Sequence, residues 1–186
     1  MPRKLQLYRA AFCTGAVLAA ADVAIFALCA ERTERYYDAN RDDRLRRLAG
    51  FKRAKDFIFP LVAGAAALVY FVSHIVLQRV RPRSGFLYTL TDAVWCVVLG
   101  VLVMWSGFDK TLSGVDAGLS NGLVVGAIVV TVLVWLALFT VSVLGCLAMR
   151  GQVKGGRVSS REAWFMSVAD LARGEQLNEA EFTGKA

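Results

Sequence analysis

Tyr88–Trp105 reads YTLTDAVWCVVLGVLVMW. After the first five residues it is a single apolar run. A transmembrane helix needs roughly 20 mostly apolar residues, and with its flanks this stretch fills a span of about 86–106. Three more blocks of the same kind lie at about 11–30, 57–78 and 122–149. None alternates apolar with polar as a barrel strand does, and backbone in lipid must satisfy its own hydrogen bonds, which a helix does. The composition agrees: of 186 residues, 56% are hydrophobic and 20% charged, against about 45–50% and 25% in soluble domains. The predicted fold is all-α, a four-transmembrane-helix bundle over 1–150 with a tail over 151–186.

The first block follows a basic start, and Ala27 and Cys29 are small enough for a signal cleavage site. Its apolar part of about twenty residues exceeds the 7–15 of a signal core, so it is expected to stay as a span. Four spans then place both ends of the chain on one side. Loop charge does not fix which side, because the first connection, ERTERYYDANRDDRLRRLAGFKRAKDF, carries nine Lys or Arg and six acids. The flank of the first span decides. It has Arg3, Lys4 and Arg9 with no acid, and the second connection, RVRPRSG, is purely basic. Both ends are therefore expected to be cytoplasmic. Within the first connection, Leu45, Leu48, Ala49 and Phe51 recur at near-helical spacing, as in a helix on the membrane surface or a solvated charged one. The third connection, SGFDKTLSGVDAGLSNG, is small and flexible in composition.

The tail has its own helix signal. Ser159 and Glu162 form a capping-box pair. Trp164, Phe165, Val168 and Leu171 share one face of a helix expected over about 160–173, which Gly174 ends. That amphipathic face suits the membrane surface or a partner. The four cysteines lie within or at the edges of the apolar blocks with no metal-ligand spacing. They read as packing residues, with Cys13 and Cys146 near basic helix ends, where palmitoylation is possible.

Three ionisable residues stand inside the spans: Asp22, His74 and Asp92. Such residues usually face the bundle interior. His74 lies four residues from the end of its span and Asp92 six residues from the start of the next. At 1.5 Å per residue those depths are roughly 6 and 9 Å, so adjacent antiparallel helices can bring the two together. Asp22 sits near the middle of the first span. The functional alternative is a proton- or ion-handling site; the structural one is a polar contact that fixes helix register. Three residues at unequal depths do not form a continuous relay, which favours the structural reading. Small residues that permit close helix approach are Gly15, Gly64, Gly122 and Gly126.

No phosphate-binding glycine loop, nucleophile–base arrangement or metal cluster can be drawn. A single histidine excludes most catalytic constellations, so no catalytic residue, metal or cofactor is expected and the protein is read as non-enzymatic. Nor does any feature suggest nucleic-acid binding; the expected partners are the lipid bilayer and further copies of the chain or other membrane proteins. No N-glycosylation acceptor occurs.

The layout resembles the MARVEL-domain family. The resemblance covers roughly residues 5–150: four spans, cytoplasmic ends, a charged first outer loop, a short basic inner loop, and a third span opening LYTLTDAVWCVVLGVLVMW. In that family the third helix often begins with an acidic residue, a small residue and an aromatic, matched here by Asp92, Ala93 and Trp95. Trp135 matches a mid-span tryptophan of the fourth helix. The long basic first loop is a departure. The resemblance implies membrane organisation and vesicle trafficking without chemistry, in the plasma membrane or secretory pathway, with Asp92 a packing feature. Two alternatives stand beside it: a small accessory subunit of a larger complex, which also admits an organelle inner membrane, and a proton-coupled transporter or channel centred on Asp22, His74 and Asp92.

Overall fold

A computed structural model describes residues 3–39, 57–81, 85–112, 119–154, 158–167 and 170–171. The helix considered within 43–57 lies, but for its last residue, outside them. The chain is an all-α four-helix bundle: α1 is Arg3–Ala39, α2 Ile58–Val80, α3 Thr89–Leu112 and α4 Asn121–Lys154, with a short α5 at Ser160–Trp164. All four long helices are long and apolar enough to cross a membrane. The protein is therefore a multi-pass integral membrane protein.

The helices run past the apolar blocks that predict them. At 1.5 Å per residue, α1 and α4 reach about 50 Å, well beyond the roughly 30 Å of hydrocarbon. Their excess length is charged: Glu31 to Arg35 in α1, Arg150 and Lys154 in α4. Helix α3 starts later than expected, behind a 3₁₀ turn at Gly85–Leu87, and runs past Trp105 to Leu112. Residues 106–112, expected as connector, are thus helical. Chemistry at the ends is local. Pro60 sits in the first turn of α2, where its missing N–H costs nothing, and α2 stops just before Pro82, which disfavours helix at the residue before it. The Ser120 carbonyl accepts from the amides of Leu123 and Val124 at 3.0 and 3.1 Å, starting α4.

In α1, α3 and α4 one stripe of buried residues follows a common rule, while α2 also buries neighbouring pairs such as Ala63–Gly64 and Tyr70–Phe71. In α1 the stripe is Tyr8, Phe12, Gly15, Ala19, Asp22, Phe26, Cys29 and Thr33; in α4 it runs from Val124 and Ala127 through Thr131 and Val134 to Gln152. Helix α3 buries Thr89, Asp92, Cys96, Leu99, Val103 and Ser106. Steps of three and four alternate without a break, the 3.5-residue repeat of left-handed helix packing. Asp22, Thr33, Thr89, Asp92, Ser106, Thr131 and Gln152 are on these inner stripes, and His74 is buried on α2. The outer faces carry Val17, Val97 and Leu147, and Trp105 is 72% exposed. That inverted pattern is what a lipid solvent demands.

The described chain divides into two compact units. One gathers the N-terminal part of α1, the second half of α2, the first half of α3, the last part of α4 and the tail. The other gathers residues 16–69 and 99–136.

Candidate functional site

In the first unit, three helices converge on one carboxylate. Asp92 stands in the first turn of α3, where the N-terminal partial charge favours an anion. The Tyr8 hydroxyl of α1 donates to Asp92 Oδ2 at 2.5 Å. On α2, the Tyr70 hydroxyl donates to Oδ1 at 3.1 Å, and His74 Nε2 lies 2.7 Å from the same oxygen. Behind the imidazole, Gln78 Nε2 is 3.1 Å from His74 Nδ1. Cys96, one turn along α3, places its Sγ 3.5 Å from the Tyr70 hydroxyl.

Sequence spacing makes this possible. Tyr70, His74 and Gln78 recur every four residues, as do Asp92 and Cys96, so each set shares one helix face. Aromatic rings wall the cluster off. Phe12 stacks on the imidazole at 4.0 Å between centroids and 20° between planes, while Phe86 and Tyr8 approach from other sides. His74 and Asp92 are only 1% and 3% exposed. Gly15 completes the wall, because a Cβ there would collide with the Phe71 ring.

Asp22 lies in the second unit and has a different environment. Its Oδ1 accepts the Thr131 hydroxyl at 3.1 Å. A Cβ on Gly64 would come within 2.8 Å of Oδ2, and one on Gly107 within 2.7 Å of Thr131 Oγ1. Two missing side chains, one on α2 and one on α3, thus make room for an aspartate on α1 and a threonine on α4. Elsewhere in this unit Phe26, Cys29, Phe57 and Ala127 form an apolar core, Gly126 faces Ile25, and Trp135 packs over Gly100.

The expected residues are therefore sorted. His74 and Asp92 meet; Asp22 is held by a separate partner. Gly15, Gly64 and Gly126 each face a side chain, but Gly122 does not: it is exposed, and a Cβ there would meet nothing within 4 Å. It falls off the 124–127–131 stripe, so it makes no close approach to any of the described residues. Cys13 is exposed and Cys146 half-buried.

No family model, curated protein or solved structure matches the chain. The chain's own geometry is what bears on its function.

The tail differs most from expectation. Its capping box forms, with Glu162 N donating to Ser159 Oγ and Ser159 N to Glu162 Oε2, both at 3.2 Å. The expected helix is interrupted: its first part ends at Trp164 with Phe165 as its cap, and helical backbone is present again at 170–171, where the Asp170 and Leu171 amides both donate to the Ser167 carbonyl at 3.0 Å. Competition from the body interrupts it. The Met166 carbonyl accepts from both Thr89 N, at 3.1 Å, and Thr89 Oγ1, at 3.0 Å, giving α3's first amide the partner it lacks within its own helix. Ser167 pairs with Tyr88 in an isolated bridge, and Gln152 Nε2 donates to the Leu171 carbonyl at 2.8 Å. Leu171 is buried, not displayed on an open face; Phe165 is 54% exposed and edges onto Tyr88. Trp164 is half-buried, and Val168 lies outside the described residues.

Sequence reasoning missed Tyr8, Tyr70, Gln78, Cys96, Gly107 and Thr131 as members of these two clusters. The signal was present in register. Stepping back from Asp22 by threes and fours reaches Phe12 and Tyr8, and stepping by fours from His74 reaches Tyr70 and Gln78.

Proposed function

We propose that the protein is a non-enzymatic membrane organiser, acting through helix–helix and lipid contacts in the manner that the resemblance to MARVEL-domain proteins implies. The observation that carries this reading is the closure of the Asp92 cluster. Both carboxylate oxygens, both His74 nitrogens and the Tyr8 and Tyr70 hydroxyls find partners inside the chain, under a wall of aromatic rings. Polar groups used up on one another specify packing; a site for chemistry leaves one of them aimed at a ligand. The outer faces, rich in large apolar side chains, supply the lipid contacts. Self-association or contact with other membrane proteins, in the plasma membrane or secretory pathway, follows from the same reading.

A second reading, an accessory subunit of a larger membrane complex, draws support from exposed Phe165 beside the docked tail. One experiment separates the two. The protein is solubilised gently from its own membrane, crosslinked and weighed intact, and the chains that accompany it are identified. Multiples of itself with lipid are expected. A fixed ratio to one larger complex would replace the organiser with the subunit.

A further inference from the structure

We infer that the end of the first unit where α2 and α4 finish binds anionic phospholipid, with one headgroup phosphate held between Arg150 and Lys154 and its acyl chains along Val143 and Leu147. The inference rests on the lipid contacts of the organiser reading and names their lipid class; it does not require self-association.

Helix α4 builds the site. Val143, Leu147, Arg150 and Lys154 follow one another by four, three and four residues, so they share one helix face, and all four are exposed. Gln152, between the two cations in sequence, points the opposite way: it is buried and holds the tail through the Leu171 carbonyl. The tail therefore docks behind the stripe and leaves it open. With Leu147 at the edge of the hydrocarbon, Arg150 and Lys154 stand roughly 4.5 and 10 Å beyond it. Their flexible stems bring both charges to the headgroup layer, roughly 5–7 Å deep. Helix α2 repeats the pattern, its exposed Val72 and Val76 leading to Arg79, with Arg81 just past its end. The docked tail adds exposed Arg161, four residues before Phe165.

Charge selects the lipid. A cation in the last turn complements the helix dipole, which accounts for Lys154 but not for Arg150 one turn before it. Among the described residues none of Arg79, Arg81, Arg150, Lys154 and Arg161 forms an ion pair. The acids described at this end are occupied: Glu162 accepts from Ser159 N, Asp170 from the Ser167 hydroxyl, and Asp92 is buried in its cluster. A zwitterionic headgroup brings a cation that finds no open carboxylate here, whereas a net negative one meets cations alone.

Spin-labelled lipids test this in phosphatidylcholine bilayers that hold the full-length protein, because lipid touching the protein is motionally restricted. Spin-labelled phosphatidylglycerol is expected to be restricted in preference to spin-labelled phosphatidylcholine. Arg150→Gln with Lys154→Gln is expected to cut that preference about fivefold or more, while Arg32→Gln with Arg35→Gln, at the other end of α1, is expected to leave it unchanged. Concentrated salt, which screens exposed charges, is expected to erase the preference, and this arm needs no variant. Equal restriction of the two lipids in the wild type, equal losses in the two double variants, or a preference that persists in concentrated salt overturns the proposal. Crosslinking in the same bilayers reads the organiser reading separately: oligomers without a lipid preference leave it standing and sink this inference, and a preference in a monomeric chain does the reverse.

Discussion

His74 and Asp92, eighteen residues apart in sequence, meet at 2.7 Å between Nε2 and Oδ1. Gln78 meets the other ring nitrogen at 3.1 Å, and Phe12 stacked on the ring face sets its plane. The pair is thereby fixed in orientation as well as distance. Its removal is expected to loosen three helices at once.

Asp92→Asn puts an amide nitrogen, a donor, where one carboxylate oxygen received a donor. We expect a loss of about 2–3 kcal/mol of stability, seen as a lower unfolding temperature in mild detergent, with membrane insertion unchanged. An unaltered unfolding temperature would deny the cluster its structural role.

Tyr8→Phe and Tyr70→Phe each delete one hydroxyl and keep the ring. Tyr8 donates to Asp92 Oδ2, whereas Oδ1, the acceptor for Tyr70, also has His74 Nε2 beside it, and a buried acceptor left without a partner costs more than one that keeps another. Tyr8→Phe is expected to cost about 1.5–3 kcal/mol and Tyr70→Phe less. The order of their unfolding temperatures tests this.

Gly15→Ala and Gly122→Ala form a matched pair on two transmembrane helices. The first drives a methyl into Phe71 and is expected to cost about 1–3 kcal/mol. The second meets nothing and is expected to be neutral in the monomer. If Gly122→Ala instead lowers the fraction of crosslinked oligomer, Gly122 serves contacts between chains.

Thr89→Val removes one of the two bonds to the Met166 carbonyl, a loss of about 1 kcal/mol. Tail amides around 163–171 are expected to exchange hydrogen faster while those of α2 and α4 keep their protection. Equal exchange in variant and wild type would mean that Thr89 N and Gln152 hold the tail unaided.

The spans were readable because lipid imposes one crude requirement, apolar length. The meeting of His74 with Asp92 was readable too, since a constant rise per residue turns sequence position into depth. Tyr8 was hidden for a physical reason: a span read from hydropathy starts at Ala11, while the helix itself starts at Arg3. Gly107 was hidden in the same way, in a stretch whose polarity suggests a connector but whose backbone continues α3. The tail was misjudged because helical spacing says nothing of competing donors, and Thr89 with Gln152 hold its carbonyls outside one continuous helix.

The two buried aspartates also differ in when they find their partners as the chain is made. Tyr8, Tyr70 and His74 all precede Asp92, so when α3 enters the membrane its carboxylate meets donors already in place. Asp22 is made early, and its threonine follows 109 residues later on the last helix. Until α4 arrives, the first helix carries an unmatched acid into the bilayer. The fourth helix therefore relieves a debt of the first, and a chain halted before residue 131 is left with its most vulnerable group exposed to quality control.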